Sequence, residues 1–182
     1  GLFITGILFI PIAISIKFDS PGPIFFGQIR CGWMGRRFRM WKFRSMCENA
    51  EQLKGQIKNQ ARGAIFKNEN DSRITKVGSF LRRKSLDELP QFWNVLKGDM
   101  SLVGPRPERP ELILEFKSEI HYYNIRHTVK PGITGWAQVN GWRGDTCLQS
   151  RIACDLEYIE RAGFWFDLRI LLMTLKSVKN AY

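Results

Sequence analysis

The sequence predicts a single α-rich α/β domain, and three features support this prediction. The chain has 182 residues, of which 44% are hydrophobic, so it is long enough to fold around a substantial core. Apolar residues recur at helical spacing in the second half of the chain, as at Leu148, Ile152, Leu156 and Ile159. Two short strand-like segments, residues 24–30 and 38–44, flank a glycine-bounded turn and predict a small β-hairpin.

The first sixteen residues form an apolar stretch without a charged side chain. A helix of that length covers about 24 Å, less than the roughly 30 Å of a bilayer's hydrocarbon core, and Pro11 removes a backbone donor inside it. The stretch lacks the basic start and cleavage site of a secretion signal. We therefore expect a re-entrant helix that enters a bilayer, bends and returns, or else a buried core helix. We also expect an apolar half upstream of Gly1.

Turn and capping signals divide the rest of the chain into elements. A dense turn signal at residues 19–23 ends the first helix. The spacing from Ser45 to Glu48 is that of a capping box and predicts a polar helix toward residue 60, followed by a mobile loop over 61–72. Further predicted elements are helices over 75–83, 110–119, 148–162 and 164–179 and a packed, glycine-punctuated loop over 130–141.

The last predicted helix combines aromatic and basic residues. Phe164, Trp165 and Phe166 lie in the same segment as Arg169 and Lys176. This composition is typical of an amphipathic helix in a membrane interface, although an ordinary core helix has the same periodicity.

The net charge of +11 and the pI near 9.8 indicate an anionic partner. Nucleic acid, a lipid headgroup surface and a phosphorylated substrate all fit. Basic residues follow the apolar stretch directly, which marks the cytoplasmic flank of a membrane segment or simply a solvated strand face. The four cysteines form no C-x-x-C pair, and His121 and His127 complete no metal-ligand spacing, so we expect free thiols in a reducing cytosol.

An adjacent pair of carboxylates, Asp87 and Glu88, lies 18 residues before Arg106 in a Gly-Pro-Arg-Pro segment. Ser85 has the spacing of an N-cap toward Glu88, which predicts a helix from there to Lys97 with both carboxylates in its first turn. A helix N-terminus attracts phosphate, so a nucleophilic Asp87 fits there. The alternative is that both carboxylates merely complement the helix dipole.

Several long segments, in this order, make the chain similar to the monotopic phosphoglycosyl transferases, the bacterial sugar transferase family. The resemblance covers nearly the whole chain and is greatest toward the undecaprenyl-phosphate glucose phosphotransferase branch. The segments that carry it are residues 19–26, 28–32, 42–46, 82–107 and 126–141, with 140–146, 164–167 and 180–182 pointing to the branch.

The resemblance implies transfer of a sugar-1-phosphate, here from UDP-glucose, to undecaprenyl phosphate with release of UMP. By carry-over, Asp87 is the nucleophile that forms a phosphosugar-aspartyl intermediate. Glu88 is its partner carboxylate, which coordinates a metal or assists the incoming phosphate. Both are expected to bind Mg²⁺. The expected phosphate-binding or substrate-binding residues are Arg82, Pro105, Arg106 and Arg143, where Pro105 and Pro107 restrict the backbone around Arg106.

The same resemblance implies a monotopic membrane-associated domain on the cytoplasmic face of the bacterial inner membrane. Residues 1–18 would insert into an anionic membrane surface, and residues 19–182 would form the catalytic domain. Association with a second copy of the chain stays open. Two alternatives are a basic module that binds single-stranded nucleic acid, which leaves the apolar start unexplained, and a non-catalytic membrane scaffold of the same fold.

Overall fold

The computed structural model describes residues 1–60, 68, 70–143 and 146–177. It confirms a helix-rich α/β fold with small sheets. The helices are α1 (Leu2–Asp19), α2 (Ala50–Leu53), α3 (Lys76–Arg83), α4 (Gln91–Leu96), α5 (Pro110–Glu119), α6 (Trp136–Val139), α7 (Leu148–Arg161) and α8 (Phe164–Ser177). The strands are β1 (Phe25–Cys31), β2 (Arg37–Phe43), β3 (Ser101–Val103) and β4 (Gly132–Thr134). Short 3₁₀ turns span Trp33–Gly35, Lys54–Gln56, Leu86–Glu88 and Tyr123–His127.

Two separate two-stranded sheets lie in the described part of the chain. Strands β1 and β2 form the predicted antiparallel hairpin, in which Phe25 pairs with Phe43 and Cys31 with Arg37. Strands β3 and β4 pair in parallel, and here the prediction of a loop over 130–141 is wrong, because the segment contains β4 and α6. Strands of three residues are too short to show an alternating pattern in the sequence.

Helix α1 packs along one side of this framework. Its buried Ile12 and Ile16 contact Phe43 of β2 and Leu81 of α3. The buried guanidinium of Arg44 donates to the carbonyl oxygens of Ser20, at 2.7 Å, and of Pro21, just after the helix. Its Nη2 also lies 3.5 Å from the Ile16 carbonyl oxygen in the last turn, so Arg44 fixes the chain where the helix ends. None of the helices in the described ranges has both the length and the hydropathy that a membrane crossing requires.

Two predicted helix starts are wrong. Ser45 does not cap a helix to residue 60, since α2 begins only at Ala50 and a 3₁₀ turn ends at Gln56. Ser85 does not cap a helix either, because it adopts a left-handed conformation with φ of 52° and its side chain makes no capping bond. The chain forms a 3₁₀ turn and then α4.

The other helix predictions are confirmed within a few residues. Thr75 caps α3 by accepting a hydrogen bond from the Gly78 amide at 3.0 Å, and α5 has the predicted bounds. The predicted loop over 61–72 lies largely outside the described residues, as do the final residues of the helix predicted to reach 179.

Candidate active site

Glu88 lies at the centre of three cationic side chains. Its Oε1 accepts hydrogen bonds from Lys42 Nζ and from Arg106 Nη2, both at 2.8 Å, and Arg143 Nη2 lies 3.3 Å from the same oxygen. Burial by itself raises the pKa of Glu88, but the three cations outweigh that effect and hold the pKa well below its usual range. Glu88 is therefore ionised, and its charge is balanced by the Glu88 cation cluster of Lys42, Arg106 and Arg143.

Asp87 is as buried as Glu88, at 7% exposure, but its surroundings differ. Its closest ion-pair partner in the described ranges is Lys42, with 3.9 Å between Nζ and Oδ2. Burial raises the pKa of Asp87, and Lys42 opposes that rise. Within the described ranges, the positive charges that favour the ionised form of Asp87 lie 3.9 Å away or farther. Its carboxylate oxygens are therefore available to an incoming electrophile or cation.

The 3₁₀ turn Leu86–Glu88 explains why two consecutive carboxylates have different neighbours. With three residues per turn, successive side chains point about 120° apart around the axis. Glu88 thus points toward the cluster while Asp87 points elsewhere. Ser85, which precedes the turn, has a left-handed backbone conformation. Non-glycine residues adopt this conformation at a cost of about 1–3 kcal/mol, and such strained residues are common at functional sites.

Lys42 reaches Glu88 from β2, and Asn94 fixes the strand relative to α4. Asn94 is fully buried, and its amide donates to the Arg39 carbonyl at 2.8 Å while its Oδ1 accepts from the Trp41 amide at 3.1 Å. Because these two backbone groups lie just before Lys42, the hairpin and the carboxylate turn form one unit.

Arg106 is held by a buried ionic network below its loop. Its carbonyl oxygen accepts a hydrogen bond from Arg126 Nη2 at 2.8 Å, and Arg126 also pairs with Asp155 at 2.8 Å. The neighbouring Glu108 pairs with Arg151 of α7 at 3.0 Å. Helix α7 therefore supports the backbone from which the Arg106 guanidinium reaches Glu88.

The same loop packs very closely against β4. A Cβ on Gly104 would lie 2.4 Å from the Lys130 carbonyl oxygen, and one on Gly135 would lie 2.2 Å from the Gly104 carbonyl oxygen. No side chain fits at these positions, so glycine permits the contact between the Arg106 loop and the segment around β4.

Arg82 stands at the end of α3, next to the carboxylate turn. Its Nε donates to the Ser45 hydroxyl at 2.8 Å, which orients the guanidinium. Its positive charge lowers the pKa of Asp87, in the same direction as Lys42 does. Around the two carboxylates the cations are in excess, which suits a site for phosphate groups.

The sequence model of the bacterial sugar transferase family matches residues 1–181 of the chain. The chain belongs to the bacterial sugar transferase family. This confirms the resemblance seen in the sequence, and it favours the enzyme over the nucleic-acid-binding alternative.

Three relatives are similar to nearly all of this sugar transferase chain. UDP-glucose:undecaprenyl-phosphate glucose-1-phosphate transferases from Xanthomonas campestris pv. campestris and Escherichia coli (strain K12) are 50% and 47% identical, over 96% and 90% of the chain. A UDP-N-acetylgalactosamine-undecaprenyl-phosphate N-acetylgalactosaminephosphotransferase from Aeromonas hydrophila is 44% identical over 96% of it. The matches cover only 36%, 34% and 40% of these relatives, so the chain spans little more than a third of their length.

The fold brings together most of the residues that the sequence singled out in this sugar transferase. Glu88, Arg106 and Arg143 are in direct contact, and Asp87 and Arg82 lie beside them. Pro105 flanks Arg106 as a loop residue and makes no charged contact. The roles assigned to these residues stay predictions.

Lys42 is the contact residue that sequence reasoning missed. It lies in one of the segments that carry the family resemblance, yet its charge was attributed to a membrane flank or a solvated strand face. The structure places it 2.8 Å from Glu88 instead, and burial lowers its pKa while Glu88 raises it. Only the three-dimensional pairing of β2 with the carboxylate turn reveals this contact.

The donor set around the carboxylates fits Mg²⁺ at Asp87 better than at Glu88. No cluster of three or more His, Cys, Asp or Glu side chains that could hold a metal occurs in the described residues. Magnesium commonly takes only one or two protein carboxylates and completes its shell with water and substrate phosphates. Asp87 offers such a carboxylate, whereas a metal ion at Glu88 would compete with three cations.

Proposed function

We propose that the chain transfers glucose-1-phosphate from UDP-glucose to undecaprenyl phosphate and releases UMP, through a phosphosugar-aspartyl intermediate on Asp87. The observation that carries this proposal is the asymmetry of the carboxylate pair. Glu88 is neutralised by three cations, whereas the one ion pair of Asp87 among the described residues is the 3.9 Å contact with Lys42. Of the two carboxylates, Asp87 is the one free to attack.

The reaction consists of two displacements at one phosphorus atom. An Asp87 oxygen attacks the sugar-linked phosphorus of the donor, the bond from that phosphorus to the bridging oxygen breaks, and UMP leaves with the electron pair. A phosphate oxygen of the acceptor then attacks the same phosphorus, and the bond to Asp87 breaks to restore the carboxylate. Two steps avoid bringing three anionic groups together at once.

The cations around the carboxylates stabilise the charge that develops. The side chains of Arg106 and Arg143 are 25% and 34% exposed. Each guanidinium can therefore pair with Glu88 and still offer N–H groups to the phosphates of the UDP-sugar. We assign Arg82, Arg106 and Arg143 to phosphate binding. Glu88 sets the positions of Arg106 and Arg143 and assists the acceptor step.

Mg²⁺ is the cofactor of this proposal. Bound through Asp87 and phosphate oxygens, it would supply further neutralisation of the transferred phosphate. Glu88 would not be a ligand of the metal, because its Oε1 is already paired with Lys42, Arg106 and Arg143.

The choice of glucose as the donor sugar is based on the names of the relatives. Two of the three relatives described above carry UDP-glucose in their names, and the third carries UDP-N-acetylgalactosamine. Competition among UDP-glucose, UDP-galactose and their N-acetylated counterparts in a UMP-release assay tests this choice. A preference for any other donor refutes the glucose assignment and leaves the role of Asp87 intact.

We also place the protein at the cytoplasmic face of the bacterial inner membrane, with α1 as a re-entrant segment. Support comes from the apolar face of α1 and from the lipid acceptor, which resides in a membrane. Cysteine accessibility at the two flanks of α1, measured in intact cells, tests the face, and labelling from the periplasmic side contradicts it.

The central experiment is Asp87→Asn in the intact chain. The variant keeps the shape of the side chain but removes the attacking charge, so UMP release and labelling of the protein by glucose-1-phosphate should both disappear. Glu115→Gln, on the exposed side of α5, is the control and should retain both activities. Turnover by Asp87→Asn at the wild-type rate would contradict the nucleophile assignment. Absence of UMP release from the wild-type chain would favour the scaffold alternative.

A further inference from the structure

A mostly apolar groove of about 400 Å³ lies between β3 and α8. One wall consists of Val95 at the end of α4 and Met100 to Val103 along β3. The other wall is the first two turns of α8, with Phe164, Leu168 and Leu171. None of these residues belongs to the carboxylate site.

The groove follows β3 toward the active site. The chain reverses after α4 at Gly98, whose φ is 83°, and the Met100 amide donates to the Asn94 carbonyl at 3.2 Å. Strand β3 therefore runs back beside α4 and leads to Arg106, which contacts Glu88. Arg106 lies three positions after Val103 in the sequence, and an extended chain spans at most about 11 Å over three positions. One end of the groove thus lies close to the phosphate-binding cations.

The lining favours an apolar chain over a polar ligand. Its polar members are Ser101, Lys130 and Asp167, and the Asp167 carboxylate already accepts a hydrogen bond from the Tyr158 hydroxyl at 3.0 Å. At the outer side, Phe164 and the adjoining Trp165 are 73% and 78% exposed, so the apolar surface continues beyond the groove. A groove of this volume lies within the size range of pockets for small ligands. It can hold only the first part of a long chain.

We infer that this groove binds the isoprenoid units of the acceptor nearest to its phosphate. The inference rests on the proposed function, because it takes polyprenyl phosphate as the acceptor. With the phosphate at the cations near Asp87, the chain lies along β3 and leaves the protein over the exposed aromatic residues of α8. Since the donor has no such chain, the groove serves the second displacement alone.

The test compares Leu168→Gln with Leu172→Gln. Both leucines lie on α8 one turn apart and are partly exposed, but only Leu168 lines the groove. Each variant is charged with labelled glucose-1-phosphate and then discharged with undecaprenyl phosphate or with methyl phosphate, which has no isoprenoid unit to place in the groove. We expect Leu168→Gln to raise the KM for undecaprenyl phosphate about tenfold, from the loss of apolar contact. Labelling and the KM for methyl phosphate should stay within about twofold of wild type.

Each outcome of this test is decisive. An equal rise in the KM for undecaprenyl phosphate in Leu172→Gln would overturn the groove assignment and indicate that α8 merely contacts bulk lipid. Equal effects of Leu168→Gln on the KM values of both acceptors would also overturn it. Failure of Leu168→Gln to change either KM would overturn it as well. Absence of labelling in the wild-type chain would refute the proposed function instead, so the two failures are distinguishable. Normal labelling of Leu168→Gln also shows that the variant is folded.

Discussion

At the scale of single residues, Lys42 links the two carboxylates electrostatically. It donates to Glu88 at 2.8 Å and lies 3.9 Å from Asp87, whose pKa is raised by burial and lowered by this lysine. The fraction of ionised nucleophile at acidic pH therefore depends on Lys42. In the proposed mechanism Asp87 must lose its proton to attack, so a higher pKa of Asp87 moves the acidic limb of activity to higher pH.

We predict that Lys42→Met shifts the acidic limb of the pH profile for UMP release to higher pH. The substitution removes the nearest positive charge from Asp87 but keeps the length of an unbranched side chain. Single-turnover UMP release measured against pH checks the prediction. Lys97→Met, which removes an exposed lysine on the turn after α4, is the control and should leave the profile unchanged. An unchanged acidic limb in Lys42→Met would show that Lys42 does not act on Asp87.

Glu88 acts by holding cations. We predict that Glu88→Gln slows UMP release by about 100-fold. Without the negative charge, the guanidinium groups of Arg106 and Arg143 lose their fixed positions, and small displacements of such groups lower the reaction rate strongly. The phosphosugar-labelled protein should still form, slowly, because the Asp87 carboxylate remains. Rapid-quench labelling distinguishes this from Asp87→Asn. If Glu88→Gln abolished labelling altogether, Glu88 rather than its neighbour would be the better candidate for the nucleophile.

At the scale of elements, α3 depends on glycine at one position. A Cβ on Gly78 would lie 2.0 Å from the Ser45 carbonyl oxygen, and that backbone cannot move without disturbing the bond from Arg82 to the Ser45 side chain. We predict that Gly78→Ala lowers the free energy of unfolding by about 1–3 kcal/mol. Gly55→Ala is the matched control, since nothing lies within 4 Å of its Cβ position. Equal stability of the two variants by chemical denaturation would refute the close approach.

The network beneath Arg106 gives a second prediction at this scale. Arg126→Met leaves Asp155 buried without its 2.8 Å partner, so we expect a loss of about 3–5 kcal/mol in the free energy of unfolding. Arg109→Met breaks a 3.9 Å pair with the exposed Glu111, the one ion pair of Arg109 among the described residues, and should cost less than about 1 kcal/mol. Denaturant titration of both variants checks the contrast. Similar losses in the two would mean that the buried pair adds no more than a surface pair.

The elements also show what the sequence could and could not predict. The β1–β2 hairpin, α3, α5 and α7 were predictable because each shows its own local pattern of spacing, caps or turns. The 3₁₀ turn at Asp87, the β3–β4 pair and the Lys42 contact were not. Each of these depends on pairing between distant segments, and a capping-box spacing at Ser85 cannot reveal a left-handed backbone. The site residues were found through the family resemblance, whereas their arrangement around Glu88 came from the fold.

At the scale of the whole molecule, α1 has two different faces. Ile12 and Ile16 are buried against the domain, while Phe3, Ile7, Ile10, Ile14 and Phe18 are exposed at helical spacing. A continuous apolar surface of this size marks an interaction site. The surface lies on the same helix whose end is fixed by Arg44, so whatever binds it is held rigidly to the domain. A bilayer and a second copy of the chain both fit an uncharged face.

We predict that the double variant Ile10→Gln with Ile14→Gln loses partitioning into vesicles at high salt, because both side chains contribute apolar surface without supporting the fold. Ile12→Gln, a similar change on the buried face, should instead lower the thermal unfolding temperature. Circular dichroism and flotation of all variants with vesicles of anionic lipid separate the two effects. High salt matters because screening weakens attraction of the +11 chain to headgroups and leaves apolar insertion. If the double variant still floated but became monomeric where the wild type is not, the exposed face of α1 would be an interface between copies.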